Sequence, residues 1–76
     1  MTMREINKLW RAAERKAAGL PRRQREYVFA YAYTAESCLI GKRGAARCGK
    51  VADLSCFDHL AEYWIGQAER VAGGAA

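Results

Sequence analysis

The first third of the chain combines apolar and basic positions at the period of an amphipathic helix. Its apolar residues recur at steps of three and four, which places them on one stripe at 100° per residue: Ile6, Leu9, Trp10, Ala13 and Ala17. Thr2 and Glu5 match a capping box, and Gly19 followed by Pro21 is a typical helix end. We therefore predict a first helix over residues 2–19.

A basic stripe occupies the opposite side of this helix. Its members recur at steps of four, three and four: Arg4, Lys8, Arg11 and Arg15. Such a face is either simply solvated, bound to a membrane surface, or in contact with the phosphate backbone of DNA or RNA. Glu5, Glu14 and the modest apolar residues argue against the membrane alternative. We therefore treat the stripe as a candidate nucleic-acid-binding surface, with a solvated face as the alternative.

The segment from Pro21 to residue 40 alternates aromatic and small residues, a pattern compatible with a strand or a helix. Because the chain offers no second strand nearby, we interpret it as a helix with Pro21 as its first residue. That helix has two apolar faces. The broad face contains Tyr27, Val28, Tyr31, Ala35, Cys38 and Leu39. The narrow face contains Phe29, Tyr33 and Ile40, next to Arg22.

One apolar face is enough to pack the core of a small bundle, so the narrow face requires another element, a partner or a second copy. Aromatic side chains beside arginines suit base stacking or a protein-binding hot spot. The predicted partner-binding residues are Arg22, Arg25, Phe29 and Tyr33. The alternative is ordinary core packing, since the middle helix of three can be covered on two sides.

Residues 41–52 contain three glycines and four positive charges, which predict a loop, with a helical turn at 44–48 as an alternative within it. The segment 44–50 has the spacing of a phosphate-binding loop, but Val51 replaces the metal-binding hydroxyl and no strand precedes it. The segment 40–44 resembles the G-x-x-G loop of KH domains, although the chain lacks the three-stranded sheet of that fold and Arg47 stands at an apolar position. The charges could neutralise phosphates without either fold. They are Lys42, Arg43, Arg47 and Lys50. The alternative is an exposed connection kept soluble by its charges.

A third helix is predicted over residues 54–72, with Asp53 or Ser55 as its cap. Its apolar stripe contains Leu54, Phe57, Leu60, Ala61, Trp64, Ile65, Ala68 and Val71. We therefore expect an all-α three-helix bundle with helix 2 at its centre. The single domain would cover residues 2–72, followed by a flexible tail at 73–76. The two apolar faces of helix 2 make a homodimer a further expectation.

Composition supports one small domain and excludes large folds. With 76 residues and 51% hydrophobic residues, the chain can form one core but no barrel, doubly wound sheet or two-domain enzyme. The net charge of +5 is uneven, because residues 1–25 carry eight basic and two acidic side chains. Residues 51–76 are net acidic. This asymmetry favours an anionic partner or head-to-tail contact between copies, with a GC-rich coding bias as the alternative source of the many arginines.

The sequence offers little catalytic or metal-binding chemistry. An odd number of cysteines argues against a closed set of disulfides, and Cys38, Cys48, Cys56 and His59 are poorly spaced for zinc. We expect no catalytic residue, metal or other cofactor, and hence no enzyme. Without a signal-peptide pattern or a membrane span, we expect a cytoplasmic protein.

These features lead to two competing expectations of function. The first is a small basic nucleic-acid-binding or regulatory protein that contacts phosphates through helix 1 and the 41–50 loop. The second is an adaptor or inhibitor of phage or plasmid type. It would bind a host protein or nucleoprotein complex through the aromatic stripe of helix 2.

Overall fold

The structure is a computed structural model that describes residues 1–49 and 53–74. These residues form three helices. Helix α1 spans Met3–Ala17, α2 spans Arg22–Cys48 and α3 spans Ser55–Ala72. The described residues contain no strand. All three helices pack against one another, and the interface of α2 with α3 is the most extensive. The predicted all-α three-helix bundle is confirmed.

The helices run up, down and up. The first residues of α1 lie against the second half of α2, and Ala17 lies near Val28 at the start of α2, so the two helices are antiparallel. Helices α2 and α3 are also antiparallel, because Tyr31 stacks on Trp64 while Gly41 lies against Phe57. Helix α1 contacts both other helices and covers one side of the α2–α3 pair, whereas Tyr27 and Tyr63 on the other side are exposed.

The core is built mainly of alanine. Eleven hydrophobic side chains are buried, and seven of them are alanines: Ile6, Ala13, Ala17, Val28, Ala32, Ala35, Leu39, Ala61, Ile65, Ala68 and Ala72. Small side chains allow helix axes to approach closely. By contrast, all eight aromatic side chains are exposed or half-buried. The bulkiest side chains thus lie at the margins of the bundle.

The start of α1 agrees with the predicted cap. The Glu5 backbone N–H donates to Thr2 Oγ1 at 3.1 Å, and the Thr2 hydroxyl donates to the Glu5 carboxylate at 3.1 Å. At the next boundary, Pro21 precedes the helix, with extended backbone (φ −55°, ψ 151°), and its carbonyl accepts from the N–H groups of Gln24 and Arg25. The proline therefore lies one position before its predicted place in α2.

The expectation of a loop from residue 41 is wrong, because α2 continues to Cys48. Gly41 lies inside this helix at a close approach: a methyl group there would be 3.3 Å from Phe57 Cε1. Gly49 ends the helix instead, in the left-handed conformation at φ 65°, and its N–H donates to the carbonyls of Ala45 and Ala46. The phosphate-loop and G-x-x-G patterns therefore fall on helical backbone up to Cys48, while the predicted loop residues 50–52 lie outside the described residues.

Two details of the apolar faces also differ from expectation. The core face of α2 is centred on Val28, Ala32, Ala35 and Leu39, so Tyr27 of the predicted broad face is 44% exposed. On α3, Leu60 of the predicted stripe is 47% exposed. In each case the predicted helical period is right, but the neighbouring helices bury a narrower part of the helix surface than expected.

Helix α3 begins without the predicted side-chain cap. Neither Asp53 nor Ser55 occupies the N-cap position, which is Leu54. Asp53 Oδ1 instead accepts from the Ser55 backbone N–H at 2.9 Å, and this bond lowers the pKa of the Asp53 carboxyl. At the other end, the N–H of Gly73 donates to the Glu69 carbonyl at 2.9 Å. Of the predicted tail, residues 75 and 76 lie outside the described residues.

Candidate nucleic-acid interface

The outward side of α1 carries a row of exposed basic side chains, defined here as the basic face: Arg4, Lys8, Arg11 and Arg15. It lies opposite the buried Ile6, Ala13 and Ala17, as the helical period predicted. Asn7 lies among these side chains on the same exposed surface. The row covers eleven residue steps, or about 16 Å along the helix axis. Helix α1 therefore presents four neighbouring cations on one open surface.

The basic face lacks neutralising partners. Within residues 1–49 and 53–74, no carboxylate lies within ion-pair distance of any of its four side chains. The two glutamates of α1 are engaged elsewhere: Glu5 accepts from the Thr2 hydroxyl, and Glu14 accepts from Trp10 Nε1 at 2.7 Å. The positive charge of the face is therefore directed to solvent.

The basic residues of segment 41–50 are distributed differently from the expected loop. Lys42 donates to Asp58 Oδ2 at 2.7 Å and is half-buried between α2 and α3. Arg43 is exposed and lies beside the first residues of α1, while Arg47 is exposed in the last turn of α2. Lys50 lies outside the described residues. The structure thus leaves Arg43 and Arg47 free to face solvent and engages Lys42 with a carboxylate.

Asp58 joins the starts of α1 and α3 to the second half of α2. Besides Lys42, the Met1 amino group donates to its other oxygen, Oδ1, at 3.4 Å. The hydrogen bond from Lys42 is the main cause that holds the pKa of Asp58 below its ordinary 3.8; partial burial opposes this effect, and the Met1 ammonium adds to it. Lys42 and Asp58 therefore act as a structural ion pair at one end of the bundle.

The narrow apolar face of α2 is exposed, with Phe29, Tyr33 and Ile40 accessible to 54%, 55% and 53%. The Phe29 and Tyr33 rings stack, with centroids 6.1 Å apart and planes inclined by 17°. Trp10 of α1 meets Phe29 edge-on at 5.5 Å. The row Trp10–Phe29–Tyr33, called the aromatic row below, therefore joins the sides of α1 and α2.

Two predicted arginines lie near the start of this row. Arg22 pairs with Glu26 at 3.0 Å, and both side chains are highly exposed. Arg25 is exposed and lines a small cavity with Glu14, Ala17, Ala18 and Val28. The four predicted partner-binding residues thus share the α1–α2 side of the bundle. Sequence reasoning missed the link through Trp10, because Trp10 was assigned to the apolar stripe of α1 alone.

A second aromatic cluster, which sequence reasoning missed, lies on the side of the α2–α3 pair that α1 does not cover. Tyr27 stacks on Tyr31, Tyr31 stacks on Trp64, and Tyr63 meets Trp64 edge-on at 5.0 Å. Arg23 lies over the Tyr27 ring at 6.0 Å. The spacing of Tyr27 and Tyr31 was a visible signal, but both tyrosines were assigned to the core.

The cysteines and the histidine do not form a site among the described residues. Cys38 is half-buried, and burial raises the pKa of its thiol; Cys48, Cys56 and His59 are exposed. Across residues 1–49 and 53–74, no group of three or more His, Cys, Asp or Glu side chains is placed to hold a metal ion. None of the described helices is both long and apolar enough to span a membrane.

Comparisons with known proteins give no further lead: no family model, curated protein or solved structure matches the chain.

Proposed function

We propose that this protein is a small, non-enzymatic nucleic-acid-binding or regulatory protein that contacts phosphates through the basic face of α1. Arg43 extends the contact beside the first residues of α1, and the exposed Arg47 in the last turn of α2 adds to it. A contribution from Lys42 requires exchange of its bond to Asp58. Lys50 remains a predicted contact.

The observation that carries this proposal is the unneutralised basic face. Like charges three or four residues apart destabilise a helix by about 0.2–0.5 kcal/mol per pair. The basic face contains three such pairs, from Arg4 to Lys8, Lys8 to Arg11 and Arg11 to Arg15. The repulsion opposes folding, and none of the described carboxylates forms an ion pair with these side chains. Glu5 and Glu14 lie three residues from Lys8 and Arg11 and offset only part of it. A polyanion relieves it, and the release of counterions from the polyanion then favours binding.

The test compares two double charge reversals that change net charge equally. Lys8→Glu with Arg11→Glu alters the basic face, whereas Arg23→Glu with Arg70→Glu alters exposed arginines of α2 and α3 away from it. Gel shifts on duplex DNA should show strong loss of affinity only for the first variant. Its plot of log affinity against log salt should also flatten by about 0.9 for each lost contact. Equal effects of both variants, or no binding by the wild type at low salt, would contradict the proposal.

The exposed aromatic row favours a second candidate, an adaptor or inhibitor that binds a host protein or nucleoprotein complex. Phe29 and Tyr33 are large rings that are more than half accessible, and Trp10 borders them. Protein-binding hot spots are rich in such aromatic and arginine side chains. A pull-down from nuclease-treated extract distinguishes the two functions. A partner retained by the wild type and lost by Phe29→Ala with Tyr33→Ala would favour this candidate.

A further inference from the structure

The side of α2 beyond the aromatic row contains a gap between two exposed apolar side chains. Tyr33 and Ile40 lie on the same side of α2, seven residues or about 10.5 Å apart along the axis. Ser37 lies between them, and its hydroxyl donates to the Tyr33 carbonyl at 2.9 Å, so the small side chain stays close to the helix. Half-buried Glu36 borders the gap on the side of α1.

We propose that this gap binds unpaired bases of a single nucleic-acid strand. Successive bases in a strand are about 3.4 Å apart, so two bases stacked between Tyr33 and Ile40 require about 10 Å. The first base would continue the stack of Phe29 and Tyr33, since among the described residues no ring covers the side of Tyr33 away from Phe29. Aromatic stacking of this kind is the usual way in which proteins bind single strands.

The charges around the gap favour a strand over a protein partner. Arg43 and Arg47 are exposed just beyond Ile40, and Arg25 is exposed on the other side of the aromatic row. These arginines can contact phosphates on both sides of the stacked bases. Glu36 is the nearest carboxylate, and it can accept a hydrogen bond from the exocyclic amino group of adenine or cytosine. In a two-fold symmetric dimer formed through this face, the same arginines of both copies would instead lie in one interface.

The inference rests on the proposed function, and the experiment separates the two. Fluorescence anisotropy measures binding to a mixed-sequence single strand of about 15 nucleotides and to its duplex. The test variant is Tyr33→Ala with Ile40→Ala. The matched control is Leu60→Ala with Tyr63→Ala, which removes exposed apolar side chains from α3. Tyr33→Phe keeps the ring, and light scattering gives the mass of each variant.

We expect the test variant to lose about 5- to 150-fold in affinity for the single strand per lost stacked base, with duplex binding and salt slope unchanged. The control variant and Tyr33→Phe should bind both probes like the wild type. Equal loss on both probes, or no loss on the single strand, would overturn the inference while the proposed function stands. A fall in mass from dimer to monomer in the test variant would also overturn it, because a second copy would then occupy the gap. Failure of the wild type to bind either probe at low salt would refute both proposals.

Discussion

Residues 41–48 are helical where a loop was expected, and this predicts how substitutions of the glycines there change stability. Gly44 lies inside the helix, and a methyl group added there would meet nothing within 4 Å. Glycine in a helix interior is less stable than alanine by about 0.5–1 kcal/mol. Gly44→Ala should therefore stabilise the fold. For a domain of this size, the melting temperature should rise by about 2–8 °C.

Two other glycines provide the controls. Gly66 lies in α3 with open space around its Cα, so Gly66→Ala should stabilise the protein by a similar amount. Gly49 has a φ of 65°, a conformation that costs an alanine about 1–2 kcal/mol. Gly49→Ala should therefore destabilise the fold, although the added methyl group also has free space.

Thermal melts followed by circular dichroism measure all three variants. The interpretation requires opposite signs for Gly44→Ala and Gly49→Ala, and the same sign for Gly44→Ala and Gly66→Ala. A lower melting temperature for Gly44→Ala would show that residue 44 adopts a conformation that alanine avoids. The second half of the basic segment would then be a loop, as the glycine pattern predicted, and the placement of Arg47 on a helix would be wrong.

Two further predictions concern charge. Lys8→Gln removes the like-charge pairs with Arg4 and Arg11 and also the attraction to Glu5 three residues earlier, so it should stabilise α1 by a net of about 0.2–0.5 kcal/mol at low salt; a gain that persists in molar salt would refute this cause, because salt screens exposed charges. Asp58→Asn removes the carboxylate charge that pairs with Lys42 and the Met1 amino group, and it should lower the melting temperature at neutral pH. The pKa of Asp58 is lowered in the folded state, so the stabilisation is complete above its ordinary value of 3.8 and disappears as the pH falls through the folded value. The melting curves of wild type and variant should therefore converge in acid, and a constant difference down to that range would exclude the ion pair as the cause.

A helix could be predicted from the sequence where the residues that determine its ends and its buried face lie in or next to the helix itself. Helix α1 could be predicted from the sequence because its apolar period, its basic period and its Thr2 cap all lie within the helix itself. The end of α2 could not, because its glycines have different roles. Gly41 accommodates the Phe57 ring of another helix, and of the glycines at 41, 44 and 49 Gly49 alone has a positive φ. Glycine count alone does not distinguish a close approach from a helix end.

In the candidate site too, features set by one helix could be predicted, whereas contacts between helices could not. The exposure of Arg4, Lys8, Arg11 and Arg15 followed from the helical period, and the separation of Phe29 and Tyr33 from the core face followed from it as well. The contact of Trp10 with Phe29 and the ion pair of Lys42 with Asp58 join residues that are distant in sequence. Their positions depend on how the helices pack, which periodicity does not specify.

The distribution of side-chain size between core and surface bears on function. A small domain has little apolar area to bury, and large aromatic side chains contribute most per residue when they are buried. This chain nevertheless fills its core mainly with alanine and leaves Phe29, Tyr33 and Tyr63 more than half exposed. Burial alone would favour the opposite arrangement. The exposed rings are therefore consistent with the proposed role in recognition, and on the α1–α2 side they lie beside arginines that suit a phosphate backbone.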